Sequence, residues 1–442
     1  MMTLIVAHKH RNLLYQYRKQ GVVKLQKFIV ITCCAIGLAS CRNPFSVLVS
    51  EPQPSKSGLT FADWCLARAN LIPEAEHTVE VLLQKAETTE CDPANQKLSS
   101  LTRLELKNNQ ISDIKPLASL TKLTTLVLKE NHISDIKPLA SLTNLDYLDL
   151  NTNLISDIKQ LASLTKLTTL VLSNNQINDI KPLASLTKLK NLSLTNNQIN
   201  DIKPLASLTN LTDIGLNNNQ IKDIKPLASL TKLTDIYLNN NQISDIKPLA
   251  SLTNLTNRLV LHDNQIKDIK PLASLTKVKD LLLSNNQIND IKPLASLTKL
   301  TYINLSDNLL RDIKPLASLT KLTNLVLSDN LLRDIKPLAS LTNLNHLHLS
   351  NNQISDIKPL ASLTNLYGLY LNNNQISDIK PLASLTKMTY LYLNNNQISD
   401  IKPLQSLTEL TEFYLIGNPI APKTCPLKPE SICDWNTEPS RW

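Results

Sequence analysis

Few side chains in this sequence are placed to do chemistry. His346 and His348 stand two residues apart, so on an extended strand both would point the same way, as two metal ligands do. A zinc site needs three or four ligands. No third Cys, His or nearby carboxylate sits at a matching place in the flanking sequence, so no metal is expected. His77, His132 and His262 are isolated and read as solvated. No Ser/His/Asp order and no carboxylate pair suggests a nucleophile or an acid–base couple. Only six residues of 442 are glycine, and only Gly215, Gly368 and Gly417 lie beyond residue 58. The bulk of the chain therefore cannot build a glycine-rich phosphate loop. No catalytic residue and no cofactor is assigned.

The seven cysteines carry more information. Cys33 and Cys34 lie in a short apolar stretch that begins at Phe28 behind Lys24 and Lys27 and runs into Leu38-Ala39-Ser40-Cys41. A basic flank, a short apolar core and small residues make a signal-peptide pattern over residues 1–40, too short to span a bilayer that needs about 20 residues. Leu-Ala-Ser-Cys resembles the bacterial lipobox, which implies lipidation at Cys41 and a protein held on a membrane. An uncleaved anchor is the alternative, since the basic segment is long. Of the other four cysteines, Cys65 and Cys91 precede a long repetitive stretch, and Cys425 and Cys433 follow it. Bridging across would require the ends of that stretch to meet, so Cys65–Cys91 and Cys425–Cys433 are the expected disulfides. Four free thiols would instead imply a reducing compartment.

The elements that position these residues are set by a period of 22 running from Leu98, repeated fifteen times. One copy reads Leu164-Thr-Lys-Leu-Thr-Thr-Leu-Val-Leu-Ser-Asn-Asn-Gln-Ile-Asn-Asp-Ile-Lys-Pro-Leu-Ala-Ser185. Alternation turns Leu170 and Leu172 inward and Thr169, Val171 and Ser173 outward on a short strand. Asn175 follows where the chain turns, and its amide can pair with neighbouring turns; stacked copies from Asn109 to Asn418 should form a ladder. Ile177, Ile180 and Leu183 return to the core. Asp179 can cap a turn opened at Pro182. The return segment is too short for a long α-helix, so 3₁₀ turns are expected.

This pattern, L-x-x-L-x-L-x-x-N-x-I/L at a period of 22, resembles the internalin-type leucine-rich repeats over residues 98–420. The recurring Asp-Ile-Lys-Pro-Leu-Ala-Ser-Leu-Thr and the final Gly417-Asn-Pro-Ile420 also look like that bacterial surface family. The resemblance implies an α/β solenoid with a parallel sheet on the concave face, and protein binding through that face. Departures are Gln160 for Pro, an extra residue near Asn257-Arg258, and Leu309 and Leu331 where Gln is usual. Residues 41–59 read as a flexible linker. Residues 60–97 form a helical cap, with helices expected at about 60–70 and 73–87 that cover the first repeat with Phe61, Trp64, Leu66, Val79, Leu82 and Leu83. Residues 421–442 cap the other end, because open stacks need covered edges.

The formal charge of +9 is mostly a targeting feature. Lys9, Arg11, Arg18, Lys19, Lys24 and Lys27 fall within residues 1–40 with no acid among them, leaving +3 beyond. Nucleic acid is not expected as a partner. The Asp and Lys of each Asp-Ile-Lys cancel and read as a solvated outer face. On the strand face, early copies offer Arg103, Glu105, Thr125, Val127, Tyr147 and Asp149, and middle ones mostly small polar residues with Tyr237 and Tyr302. The last four offer His346, His348, Tyr370, Tyr390, Tyr392, Glu412 and Tyr414. Of nine aromatics between Leu98 and Asn418, six lie in the last three copies. Outward tyrosines on neighbouring strands suit a protein interface; cross-strand packing that only stabilises the sheet is the other reading. The expectation is a monomeric, non-enzymatic, exported and membrane-anchored protein. It would bind a protein or envelope ligand through His346, His348, Tyr370, Tyr390, Tyr392 and Tyr414. An intracellular regulatory scaffold is the alternative.

Overall fold

The computed structural model describes residues 58–436. The proposed signal segment, Cys41 and most of the linker lie outside the described residues, as do residues 437–442. Three helices come first: α1 (Phe61–Leu66), α2 (Pro73–Ala86) and α3 (Cys91–Ser100). Thr60 and Asp63 close a capping box on α1, with the Asp63 amide donating to Thr60 Oγ1 at 3.3 Å and the Thr60 amide to Asp63 Oδ2 at 2.7 Å. The first expected helix stops four residues short, and a 3₁₀ turn, Arg68–Asn70, follows it. The third helix was not anticipated. Leu98 fits the repeat, but no earlier coil exists for it to stack on, and Asp92-Pro93 suits a helical first turn. Phe61, Val79 and Leu82 are fully buried beneath the cap, whereas Leu66 is 73% exposed and covers nothing.

Each coil then repeats one plan. In the coil from Leu164, the strand Thr169–Val171 turns Leu170 and Leu172 fully inward, and a 3₁₀ turn, Lys181–Ser185, returns the chain. Sixteen strands form one parallel sheet in sequence order, each paired one period on, as Thr169 with Asn191. The series runs from β1 (Arg103–Glu105) to β15 (Glu412–Tyr414). The sixteenth strand, β16 (Cys433–Asp434), comes from the C-terminal cap and continues the sheet on Phe413 and Tyr414. The extra residue in the eighth copy is absorbed just before Arg258–Val260, whose pairing with the preceding strand shrinks to two residues.

Buried polar groups are satisfied by side-chain ladders. Asn175 Nδ2 donates to Leu150 O at 3.0 Å, Leu172 O at 3.1 Å and Ser173 O at 3.2 Å, while its Oδ1 accepts from Ile155 N at 3.0 Å. The same set recurs as far as Asn418. Asn109 is the exception: with no coil before it, its amide donates only to Lys107 O. Asp179 Oδ1 accepts from Lys181 N at 3.0 Å at the start of the 3₁₀ turn, but the N-cap position is Ile180, one residue later than expected, and it carries no side-chain cap. A second ladder was missed, in which Ser185 Oγ donates to Ala162 O of the preceding coil at 3.0 Å. It depends on the 3₁₀ register, which composition alone does not define.

The expected disulfides are both formed, with Cα–Cα separations of 5.5 Å for Cys65–Cys91 and 5.8 Å for Cys425–Cys433. Two histidines differ from expectation. His77 is held by Asn109 O at 2.7 Å, docking α2 on the first coil, and His262 pairs with Asp263 at 2.6 Å. Gly417 has φ +75°, and a Cβ there would lie 2.0 Å from Asn395 Oδ1, so only glycine fits where the column of left-handed turns ends.

Candidate binding face

Strand alternation brings all six expected site residues onto two adjacent columns. His348, Tyr370, Tyr392 and Tyr414 are register partners in one column. In the other, His346, Gly368, Tyr390 and Glu412 follow one another. The first column is a continuous ring stack: His348 on Tyr370 at 4.0 Å, Tyr370 on Tyr392 at 4.6 Å, and Tyr392 on Tyr414 at 4.7 Å. These separations match the spacing of adjacent strands, about 4.8 Å, so the sheet itself enforces the stack. Within the column the cross-strand packing reading describes the geometry: ring faces cover each other and ring edges face outward. Tyr392 is only 2% exposed, and its hydroxyl donates to Glu412. Tyr390, in the other column, is outside the stack and partly exposed, and Tyr367 just before the strand is 45% exposed.

Gly368 makes this arrangement possible and was missed as a site residue. A Cβ at that position would lie 2.9 Å from His346 Cδ2 and 3.2 Å from Tyr370 Cε2, so the two rings use the space a side chain would fill. Composition gives only a partial signal: among the described residues just Gly215 and Gly368 lie on strands, and nothing in the sequence says that rings pack over one of them.

Burial sets the electrostatics here. It lowers the His348 imidazole to about 4, with His346 adding to the effect. It raises the phenols of Tyr370 and Tyr414, with Glu412 the next cause in both. His346 Nδ1 is buried without a hydrogen-bond partner. The two histidines are engaged separately, His348 by Tyr370 and His346 over Gly368. Among the described residues no set of three His, Cys, Asp or Glu side chains could hold a metal ion.

Comparisons with known proteins agree with this architecture. The family model for leucine-rich repeats (two copies) matches in successive segments from residue 99 to residue 428, including 99–139, 165–207 and 386–428. An internalin, InlF, of Listeria monocytogenes has 38% identity, with 74% of this chain and 95% of that one covered and a TM-score of 0.69. The chain belongs to the internalin-type leucine-rich-repeat proteins. A leucine-rich-repeat protein of Leptospira interrogans shares 27% identity over 78% of this chain and 92% of its own, with a TM-score of 0.70. The functional domain of InlJ from Listeria monocytogenes, described as including a cysteine ladder, has 25% identity, coverage of 81% and 76%, and a TM-score of 0.70. No curated protein matches the chain significantly. Internalin-type repeats are protein-binding scaffolds, and no catalytic family is indicated. Among the described residues no helix is long and apolar enough to cross a membrane.

Proposed function

We propose that this internalin-type protein is a non-enzymatic binding module, exported and held at the outer side of a membrane through Cys41. It engages a protein or envelope ligand with its concave strand face. The observation that carries the reading is the concentration of aromatic residues on that face in the last copies, on a scaffold whose other coils are nearly identical. Tyr390 and the exposed edges of Tyr370 and Tyr414 supply contact area at small entropic cost. The two disulfides support export, because such bonds persist in oxidising compartments.

The test compares capture of a surface ligand by the wild-type chain, by Tyr390→Ala/Tyr414→Ala, and by a control on the opposite side, Lys181→Ala/Lys203→Ala. The reading expects loss only in the tyrosine variant. Capture by that variant at the wild-type level would remove the site assignment. Labelling with a radioactive fatty acid, followed by membrane fractionation of wild-type and Cys41→Ser cells, tests the anchor separately. A soluble, unlabelled wild-type protein would favour the intracellular scaffold.

A further inference from the structure

The total charge conceals a strong segregation between faces. The sixteen strands together carry seven carboxylates and only two cationic side chains, Arg103 and Arg258. Both cations are already engaged: Arg103 pairs with Glu105, and Arg258 with Asp280 at 3.1 Å. The return turns balance instead, each Asp standing two residues from a Lys. In the early coils Asp179 lies 3.8 Å from Lys181. The two cations immediately after strands, Lys107 and Lys129, belong to the first two coils. From the third coil onward the strand face is acidic.

Its carboxylates do not sit where a sheet would place them for stability. Asp213 and Asp235 are direct register partners on adjacent strands, an arrangement of like charges that destabilises a sheet. Their burial and mutual repulsion raise the Asp213 carboxyl. Asp235 is held by hydrogen bonds from Thr234 and Asn257, both at 2.9 Å, which orient the carboxylate. Asp235 and Glu412 each have a phenol directly beside them, and Asp213 has one on the diagonal. Tyr237 is the second outward residue of the strand Asp235–Tyr237, and Tyr390 and Tyr414 flank Glu412.

Carboxylate beside phenol is the setting a guanidinium prefers: an ion pair along its edge and a ring against its plane. Arg258 already shows such a group on this face. Its Nε and one terminal nitrogen reach Asp280 at 3.3 and 3.1 Å, and its charge opposes the rise in the Tyr237 phenol pKa.

We propose that the strand face docks a basic peptide segment, extended along the sheet. Its arginines pair with Asp213, Asp235 and Glu412 and lie against Tyr237, Tyr390 and Tyr414. This deepens the binding-face reading and rests on it. From Asp213 to Glu412 the face crosses nine strand intervals, roughly 40 Å at the usual spacing, which an extended chain spans in about a dozen residues.

The test uses the full-length chain and four fluorescein-labelled peptides of about fourteen residues, long enough for that span. Serine alternates with arginine, lysine, glutamate or glutamine. The arginine peptide should bind most tightly, with affinity falling as salt is added. D213N/D235N/E412Q should weaken it by about tenfold or more. D179N/D201N/D223N removes equal charge from the return turns and should change binding by less than about twofold. Thermal melts of both variants exclude unfolding as the cause. Equal binding of the glutamine peptide, or equal losses in the two triple variants, overturns the basic-segment assignment. If that happens while Tyr390→Ala/Tyr414→Ala still abolishes ligand capture, the face reading stands and only the partner class falls. If the tyrosine variant captures normally, the underlying reading falls instead.

Discussion

Replacing Asn241 with alanine probes the coupling between coils directly. Its amide donates to Leu216 O and Leu238 O at 3.0 Å and to Asn239 O at 3.3 Å, and its Oδ1 accepts from Ile221 N at 3.0 Å. Asn241 is 8% exposed and Ile221 fully buried, so water cannot replace these partners. Each buried group left unpaired costs about 1–3 kcal/mol, and the expected loss is about 3–5 kcal/mol in all. Two of the four contacts cross to the preceding coil. The damage should therefore sit at one interface and divide the array there, as nearest-neighbour coupling requires. Asn109→Ala is the matched control: its amide keeps one bond, to Lys107 O within its own turn, and the cost should stay under about 1 kcal/mol. Urea unfolding followed by circular dichroism measures both costs, and pulsed hydrogen exchange locates the first protection lost. Equal costs for the two variants, or uniform loss of protection along the array, would refute the reasoning.

Other predictions follow from single features. Acid should weaken the fold through His348, whose folded pKa of about 4 lies below the ordinary 6.5. Between those values the unfolded chain binds more protons, so the contribution is complete above pH 6.5 and is lost as pH falls toward 4, about 3 kcal/mol at most. His348→Phe keeps a ring on Tyr370 but lacks the titrating group, so the wild-type-minus-variant stability difference should show that slope between about pH 4 and 6.5; a difference that stays constant with pH would contradict it. Cys65→Ser/Cys91→Ser opens a loop with a sequence separation of 26, worth about 3.5 kcal/mol by chain entropy. Limited proteolysis should then cut the first coils while the last stay protected, and uniform collapse would count against the stack. Gly417→Ala must accept a left-handed φ and displace Asn395, costing more than about 1 kcal/mol in a thermal melt. An unshifted melt would show that the turn relaxes.

Most of the fold is legible because one coil states its own physics fifteen times. Leu170, Leu172 and Ile177 declare the core by period, and Asn175 declares the ladder by its place at the turn. Context defeats the same pattern at the ends. Leu98 matches the repeat but completes α3, because no coil precedes it. Alternation also placed the outward tyrosines in columns. It could not tell that Tyr370, Tyr392 and Tyr414 lie ring on ring while Tyr390 stays apart, since ring rotation follows from strand spacing and neighbours. Gly368 was hidden for the same reason: its role is to be absent beneath His346 and Tyr370. The acidic strand face was available in the sequence but cancelled in the whole-chain charge. It emerges once Asp213, Asp235 and Glu412 are counted by face, separately from the Asp-Ile-Lys turns.

The most direct test of the account is a photo-crosslinking scan on the full-length protein at its native site. A photoreactive residue would replace Asn304 or Asn324 on the strand face and, separately, Lys181 or Lys203 on the return turns. Ligand adducts from the strand positions alone are predicted. Adducts that form equally from the return turns, or only there, would contradict it.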